Sequence, residues 1–153
     1  MSISSKLLLA GLSFFSCLLS LSANEKPNII YIMADDCTFN DLGCYGGQAK
    51  TPHIDQLATE GMLFEKCFQA APMCSPTRHN IYTGLYPVRS GAYPNHTFVK
   101  EGTKSLSHYL KPLGYRVALS GKTHISPRDI FKFEYSAKGN NPDMAVIESL
   151  MVE

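Results

Sequence analysis

"PNIIYIMADD", residues 27–36, is a short apolar run rich in isoleucine that ends on two adjacent carboxylates, Asp35 and Asp36. Apolarity without alternation is the pattern of a strand buried on both faces, as in a parallel sheet. Open α/β sheets place their ligands beyond the C-terminal ends of such strands, where these two aspartates fall. Downstream, "CTFNDLGCYGGQAK" (37–50) is glycine-rich loop. "TPHIDQLATEG" (51–61) predicts a helix capped by Thr51, with Pro52 at its first position, apolar at Ile54, Leu57 and Ala58, and stopped by Gly61. "MLFEKCFQ" (62–69) predicts a second strand.

Further along, "APMCSPTRHNIYTG" (71–84) reads as loop and then helix, ending at Gly84. "LYPVRSGAYPNHTF" (85–98) is turn-rich. "TKSLSHYLKPLG" (103–114) has Leu106, Tyr109 and Leu110 on one face and predicts a helix kinked or ended at Pro112. "YRVALSGKTH" (115–124) predicts a strand whose exit carries Lys122 and His124, and "NNPDMAVIESLMVE" (140–153) starts a new element. Strands and helices alternating at this spacing predict an α/β fold with a mainly parallel sheet flanked by helices.

The chain has 153 residues, room for one domain of ordinary size. With 44% hydrophobic and 18% charged residues it has a globular composition, and a formal net charge of +1 gives no basis for a nucleic-acid-binding face or an acidic tail. The N-terminus differs. After Lys6 comes "LLLAGLSFFSCLLSL" (7–21), then small residues, the pattern of a secretory signal cut near Ala23. The run is short for a membrane span, which needs about 20 apolar residues, so no stable membrane insertion is expected once it is removed. Residues 1–23 are thus read as a signal peptide and 24–153 as the exported domain sequence, in a periplasmic, extracellular or lysosomal setting. Export leaves Cys37, Cys44, Cys67 and Cys74 in an oxidising compartment, where disulfides are allowed but not required.

Three polar clusters sit at predicted strand exits or at the helix start beside them. Adjacent carboxylates at a buried strand end repel, and Asp35 and Asp36 call for a hard cation such as Ca²⁺ or Mg²⁺ to offset that repulsion. A helix beginning just after Cys74 places that residue at its N-cap, with Arg78 on the same face one turn later. Free amides and the helix dipole there favour an anion, and the arginine fork suits the same anion. Lys122 and His124, two apart, share one side of a strand; lysine neutralises an anion and histidine passes a proton near neutral pH. Each cluster alone also fits a structural role: a solvated cap, a disulfide or a surface strand end. Asn95-His96-Thr97 fits a glycosylation acceptor in a eukaryotic secretory route.

Together the clusters resemble one family. "CSPTRHNIYTG" (74–84) is similar to the sulfatase signature, a Cys-x-Pro-Ser-Arg core followed by Thr-Gly. "PNIIYIMADD", "DLGCYGG" (41–47), "TPHIDQLATEGMLFEKCF" (51–68) and "GYRVALSGKTH" (114–124) resemble the family's other N-terminal segments in consistent order, from about Pro27 to Tyr135. "SGAYPNH" and "GKTHISPRDIFKFEY" look closest to the sulfamidase-like (heparan N-sulfatase-like) branch.

The resemblance implies an alkaline-phosphatase-like fold and hydrolysis of sulfate monoesters or N-sulfate groups on carbohydrates, glycosaminoglycans or small sulfate esters. It further implies that a maturation enzyme oxidises Cys74 to formylglycine. One hydroxyl of the aldehyde hydrate attacks sulfur and the other later releases sulfate, which a thiol cannot do. Asp35, Asp36 and the oxidised residue 74 would bind Ca²⁺, Arg78 and Lys122 would steady the hydrate and sulfate oxygens, and His124 would lie near the nucleophile or leaving group. Thr77 departs from the usual serine. Family members are several times longer, so the chain is read as an N-terminal portion, without turnover by itself. Two other readings stay open: a phosphomonoesterase or phosphodiesterase of the same superfamily, and a non-catalytic module stapled by disulfides.

Overall fold

A computed structural model of the chain describes residues 26–136 and 141–151. The expected signal segment lies outside them. The chain divides into two units, residues 1–34 and 35–153.

In the first unit, residues 27–34 form no strand, and Ile29, Ile30, Tyr31 and Ile32 are exposed. The expected buried strand is therefore not formed. Apolar sequence can fill the faces of a strand, but only a neighbouring strand can supply the ladder hydrogen bonds that define it.

The second unit contains five helices among the described residues: α1 (Pro52–Glu60), α2 (Cys74–Thr83), α3 (Pro87–Ser90), α4 (Leu106–Leu110) and α5 (Met144–Met151). Helix α1 matches its signals, with Pro52 in the first turn and the Gly61 amide bonded to the Leu57 carbonyl. The Thr51 hydroxyl does not cap the helix amides; it accepts from the Gly43 amide and donates to Asp55, tying the preceding loop to the helix. The segment after Gly61 is not the expected strand. Met62, Phe64 and Phe68 are exposed and the stretch pairs with no neighbour among the described residues.

The sheet is small: β1 (Ala118–Leu119) pairs in parallel with β2 (Glu134–Tyr135), Ala118 opposite Glu134 and Leu119 opposite Tyr135. The expected strand over 115–124 is thus confined to two residues, and Lys122 and His124 lie in the loop beyond it. Against this pair sits the core of Ala92, Val99, Ile125, Ile130, Phe131 and Phe133, with Tyr82 of α2 packed on it. Phe131 is fully buried and meets His79 and Tyr82 edge-on, at centroid distances of 5.4 and 6.4 Å. Aromatic pairs at such separations prefer edge contacts, so the ring fixes how α2 lies on the core.

Helix α4 continues as a 3-10 turn over Lys111–Leu113, consistent with Pro112 ending the α-helix. Its apolar face, however, is not the buried one. Leu106 and Tyr109 are exposed while Ser105 and Ser107 are buried, because Ser105 forms a reciprocal capping box with His108 and donates to the Ile130 carbonyl at 2.7 Å. Replacing Ser105 with alanine removes the cap and leaves that carbonyl without its donor. A loss of about 1–2 kcal/mol is expected, read from denaturant unfolding. No helix among the described residues is long and apolar enough to cross a membrane.

Candidate active site

Helix α2 begins at Cys74, with Met73 at the N-cap, one residue earlier than its sequence suggests. Ser75, Pro76, Thr77, Arg78 and His79 are all buried. A helix start this polar can be buried only if its groups find partners. Thr77 donates to the Ala71 carbonyl at 2.6 Å, which holds the loop before the helix. The His79 Nε2 accepts the Ser126 amide at 3.0 Å, so its proton sits on Nδ1, 2.8 Å from the Ser75 carbonyl. His79 thereby fastens α2 to the loop carrying His124. Gly84 closes the helix with φ 70°, its amide on the Asn80 carbonyl.

Arg78 is only 5% exposed. Its Nη2 lies 3.2 Å from Asp35 Oδ1 and its Nη1 donates to the Lys122 carbonyl at 2.8 Å. Lys122 Nζ donates to the other oxygen of Asp35. One carboxylate is thus gripped by two cations. The bond from Lys122, with Arg78 behind it, holds the Asp35 carboxyl below its ordinary range against the opposing effect of burial. In return the Asp35 carboxylate pushes the Lys122 ammonium above its usual value. Arg78 Nε is buried without a partner among the described residues.

On the other side of Cys74 stands Asn95. Its Oδ1 accepts the Ser75 amide at 3.3 Å and lies 3.9 Å from the Cys74 sulfur. An amide at the helix start, expected to face an anion, is therefore taken by a side chain twenty residues away. Asn95 Nδ2 reaches His96 Nε2 at 3.3 Å, and His96 Nδ1 meets His124 Nε2 at 3.0 Å. Burial first, then the neighbouring His96, holds His124 below the ordinary histidine value. Lys122, Arg78 and Asp35 also act electrostatically on His124, so the two halves share one field. A cavity of ≈ 350 Å³ beside them is lined by Ser75, His79, His96, Thr123, His124 and Arg128, among others.

Of the residues read from sequence, Asp35, Arg78 and Lys122 are in direct contact, and Cys74 is linked to His124 through Asn95 and His96. Asp36 is exposed, with a left-handed backbone of φ 54°. Among the described residues no group of three or more His, Cys, Asp or Glu stands close enough to hold a metal ion. Two adjacent carboxylates suit a hard cation in kind, but they supply no more than about four of the roughly six to eight oxygens that calcium takes. Cys37, Cys44, Cys67 and Cys74 are free thiols, so the disulfide-stapled reading finds no staple among the described residues.

Sequence reasoning missed His79, Asn95 and His96 as parts of this site. Asn95 had stood out only as a glycosylation acceptor, whereas its carboxamide is engaged at the start of α2. A histidine five residues after the cysteine on a buried helix was the available signal for His79.

The sulfatase family model matches residues 27–147. An ulvan-active sulfatase of Formosa agariphila is 41% identical over 116 residues, covering 75% of this chain and 23% of that protein. An N-acetylgalactosamine-6-sulfatase of Rattus norvegicus is 35% identical over 128 residues, covering 74% of this chain and 24% of the relative. Human arylsulfatase H is 40% identical over 118 residues, covering 69% and 21%. These names span several substrates and do not single out a sulfamidase-like branch. The chain spans about a quarter of the length of such relatives. A match over so much of this chain, one that includes the segment holding Cys74 and Arg78, establishes that the chain belongs to the sulfatase family.

Proposed function

We propose that the protein carrying this chain hydrolyses sulfate monoesters or N-sulfate groups, with residue 74, oxidised to formylglycine by a maturation enzyme, at the reacting centre. The observation that carries this reading is the cluster around the start of α2: Arg78 and Lys122 both hold the Asp35 carboxylate, and Cys74 is linked to His124 through Asn95 and His96.

Arg78 is held by Asp35 and by the Lys122 carbonyl, so its fork is fixed before any ligand arrives and no reorganisation accompanies charge build-up on the sulfuryl oxygens. Lys122 supplies a second positive charge to the same region. His124, neutral near physiological pH by the direction of its shift, offers a hydrogen bond without adding charge. The formylglycine hydrate supplies two hydroxyls, one to take up the sulfuryl group and one to let it go. Asp35, Asp36 and an oxygen at residue 74 would hold Ca²⁺ or Mg²⁺, which when bound neutralises charge on the ester, with further ligands completing its shell.

Sulfated carbohydrate is the proposed substrate class. Support comes from the ulvan-active and N-acetylgalactosamine-6-sulfatase relatives and from a cavity with a mostly polar lining that includes Ser75, the chain neighbour of residue 74. "SGAYPNH" and "GKTHISPRDIFKFEY" support the sulfamidase-like branch within that class. The apolar N-terminal run supports export.

Matched aryl sulfate and aryl phosphate esters separate this reading from a phosphatase of the same superfamily. The complete protein is expected to release sulfate at least about tenfold faster than phosphate, a difference of about 1.4 kcal/mol in barrier. Peptide mass spectrometry across residue 74 is expected to find the aldehyde. Faster phosphate release, or an unmodified thiol in every molecule, overturns the reading.

A further inference from the structure

Arg128 is the one lining side chain of fixed charge in the ≈ 350 Å³ cavity, and among the described residues no carboxylate lines it. Arg78 and Lys122, the cations that grip Asp35, are not part of that lining. The cavity thus has a positive group of its own, reached from the side of Ser75 and separate from the pair that holds Asp35.

Arg128 is exposed, yet its position is built. Its guanidinium carbon stands 3.9 Å from the centroid of the Tyr135 ring, and its Nη2 donates to the Thr123 hydroxyl at 3.4 Å. Tyr135 belongs to β2 and donates to the Phe131 carbonyl at 2.6 Å, so the ring beneath the arginine is tied to the core. The loop from Thr123 to Arg128 is fastened at its middle, where the Ser126 amide meets His79 and the Ser126 carbonyl accepts the Val99 amide at 3.2 Å. Stacking occupies the face of a guanidinium and leaves its N–H edge open. No carboxylate pairs with that edge among the described residues. A planar fork of this kind takes two oxygens of a carboxylate or a sulfate together. Thr123 spends its oxygen on Arg128, which leaves its proton for a ligand. The cavity falls at the lower end of the roughly 300–1,000 Å³ of small-molecule sites, a size that suits a sugar unit.

We propose that Arg128, carried on Tyr135 and Thr123, is a specificity-determining residue that binds a second anionic group of a polyanionic carbohydrate: a carboxylate or a further sulfate on the sugar next to the one that loses its sulfate. The word substrate here rests on the sulfatase reading above; the anion subsite does not. Because the fork is held before a ligand arrives, little side-chain freedom is lost when the anion binds.

Two measurements on the complete protein test this. The first is turnover of three disaccharides that share the scissile sulfate. One has a hexuronate as the neighbouring sugar, one has that carboxyl reduced to the alcohol, and one is reduced and carries a second sulfate there. The unaltered protein is expected to favour a charged neighbour over the alcohol by about tenfold in kcat/KM, chiefly through KM, the scale of a charge-assisted contact at an exposed site. Which charged form is preferred separates carboxylate from sulfate. In Arg128→Gln the preference falls to about twofold or less, and Arg128→Lys, which keeps the charge without the fork, retains part of it. Each preference is a ratio within one protein, so a change in the folded fraction cancels. The second measurement is binding of the same three disaccharides without the scissile sulfate, followed by NMR titration, with the same order and the same loss in Arg128→Gln expected. Equal kcat/KM for charged and reduced neighbours in the unaltered protein overturns the proposal, as does a preference that Arg128→Gln leaves intact. If none of the three releases sulfate but the charged disaccharides bind in an Arg128-dependent way, the sulfatase reading fails and the subsite stands; if binding is also indifferent to Arg128, both fall.

Discussion

Replacing Cys74 with alanine is expected to lower sulfate release by the complete protein about 10⁴-fold or more, the usual scale for losing a nucleophile. Stability should hardly change. Cys74 is half-buried at the first position of α2, and its sulfur lies 3.9–4.0 Å from the Asn95 carboxamide. Alanine is a good helix former and leaves no buried polar group unpaired. Initial rates with an aryl sulfate, paired with thermal unfolding, check both halves. Activity within tenfold of the unaltered protein would remove residue 74 from the chemistry.

Arg78→Ala should damage both activity and fold. The guanidinium is nearly buried and bridges Asp35 to the Lys122 carbonyl, so its loss leaves that carbonyl without a donor and Asp35 with one cation in place of two. Breaking a fully buried pair costs about 3–5 kcal/mol. The Asp35 side chain is 36% exposed, which brings the expectation down to about 2–3 kcal/mol. Removing a fixed donor from an anion site lowers kcat about 10²- to 10³-fold in addition. Arg78→Lys should not restore activity, because one ammonium cannot span Asp35 and the Lys122 carbonyl while presenting a third donor. Denaturant unfolding and sulfate release measure the two effects, and a lysine variant with full kcat contradicts the bridging role.

Membership of the sulfatase family brings with it the alkaline-phosphatase-like α/β fold, and the parallel pairing of β1 with β2 agrees with the sheet type expected from the alternating pattern. Elements held by local signals were the most legible. Helix α1 follows its proline and glycine, and α2 stops at Gly84. Elements that depend on distant partners were not. The runs 27–34 and 62–69 have the composition of strands, but pairing is a property of neighbours and leaves no mark in the run itself. Burial of α2 and α4 was hidden for another reason. Their buried positions are Ser75, Pro76, Thr77, Arg78, His79 and Ser107, which no apolar periodicity marks. The site shows the same division. Chemistry-bearing types at fixed spacing, Cys74 with Arg78 and Lys122 with His124, could be read in advance; Asn95 and His96 join them through hydrogen bonds to Ser75 and His124, twenty and twenty-eight residues away, which no spacing marks.

The burial of residues 75–79 has a consequence for how the protein comes into being. On the proposed chemistry a maturation enzyme must read Cys74, Pro76 and Arg78, yet in the folded chain Pro76 is sealed in and Arg78 is pinned between Asp35 and the loop at Lys122. Lys122 lies forty-four residues after Arg78, so this clamp closes only after that much more chain has emerged. If that chemistry holds, modification and folding would be ordered in time, with oxidation expected before the clamp closes.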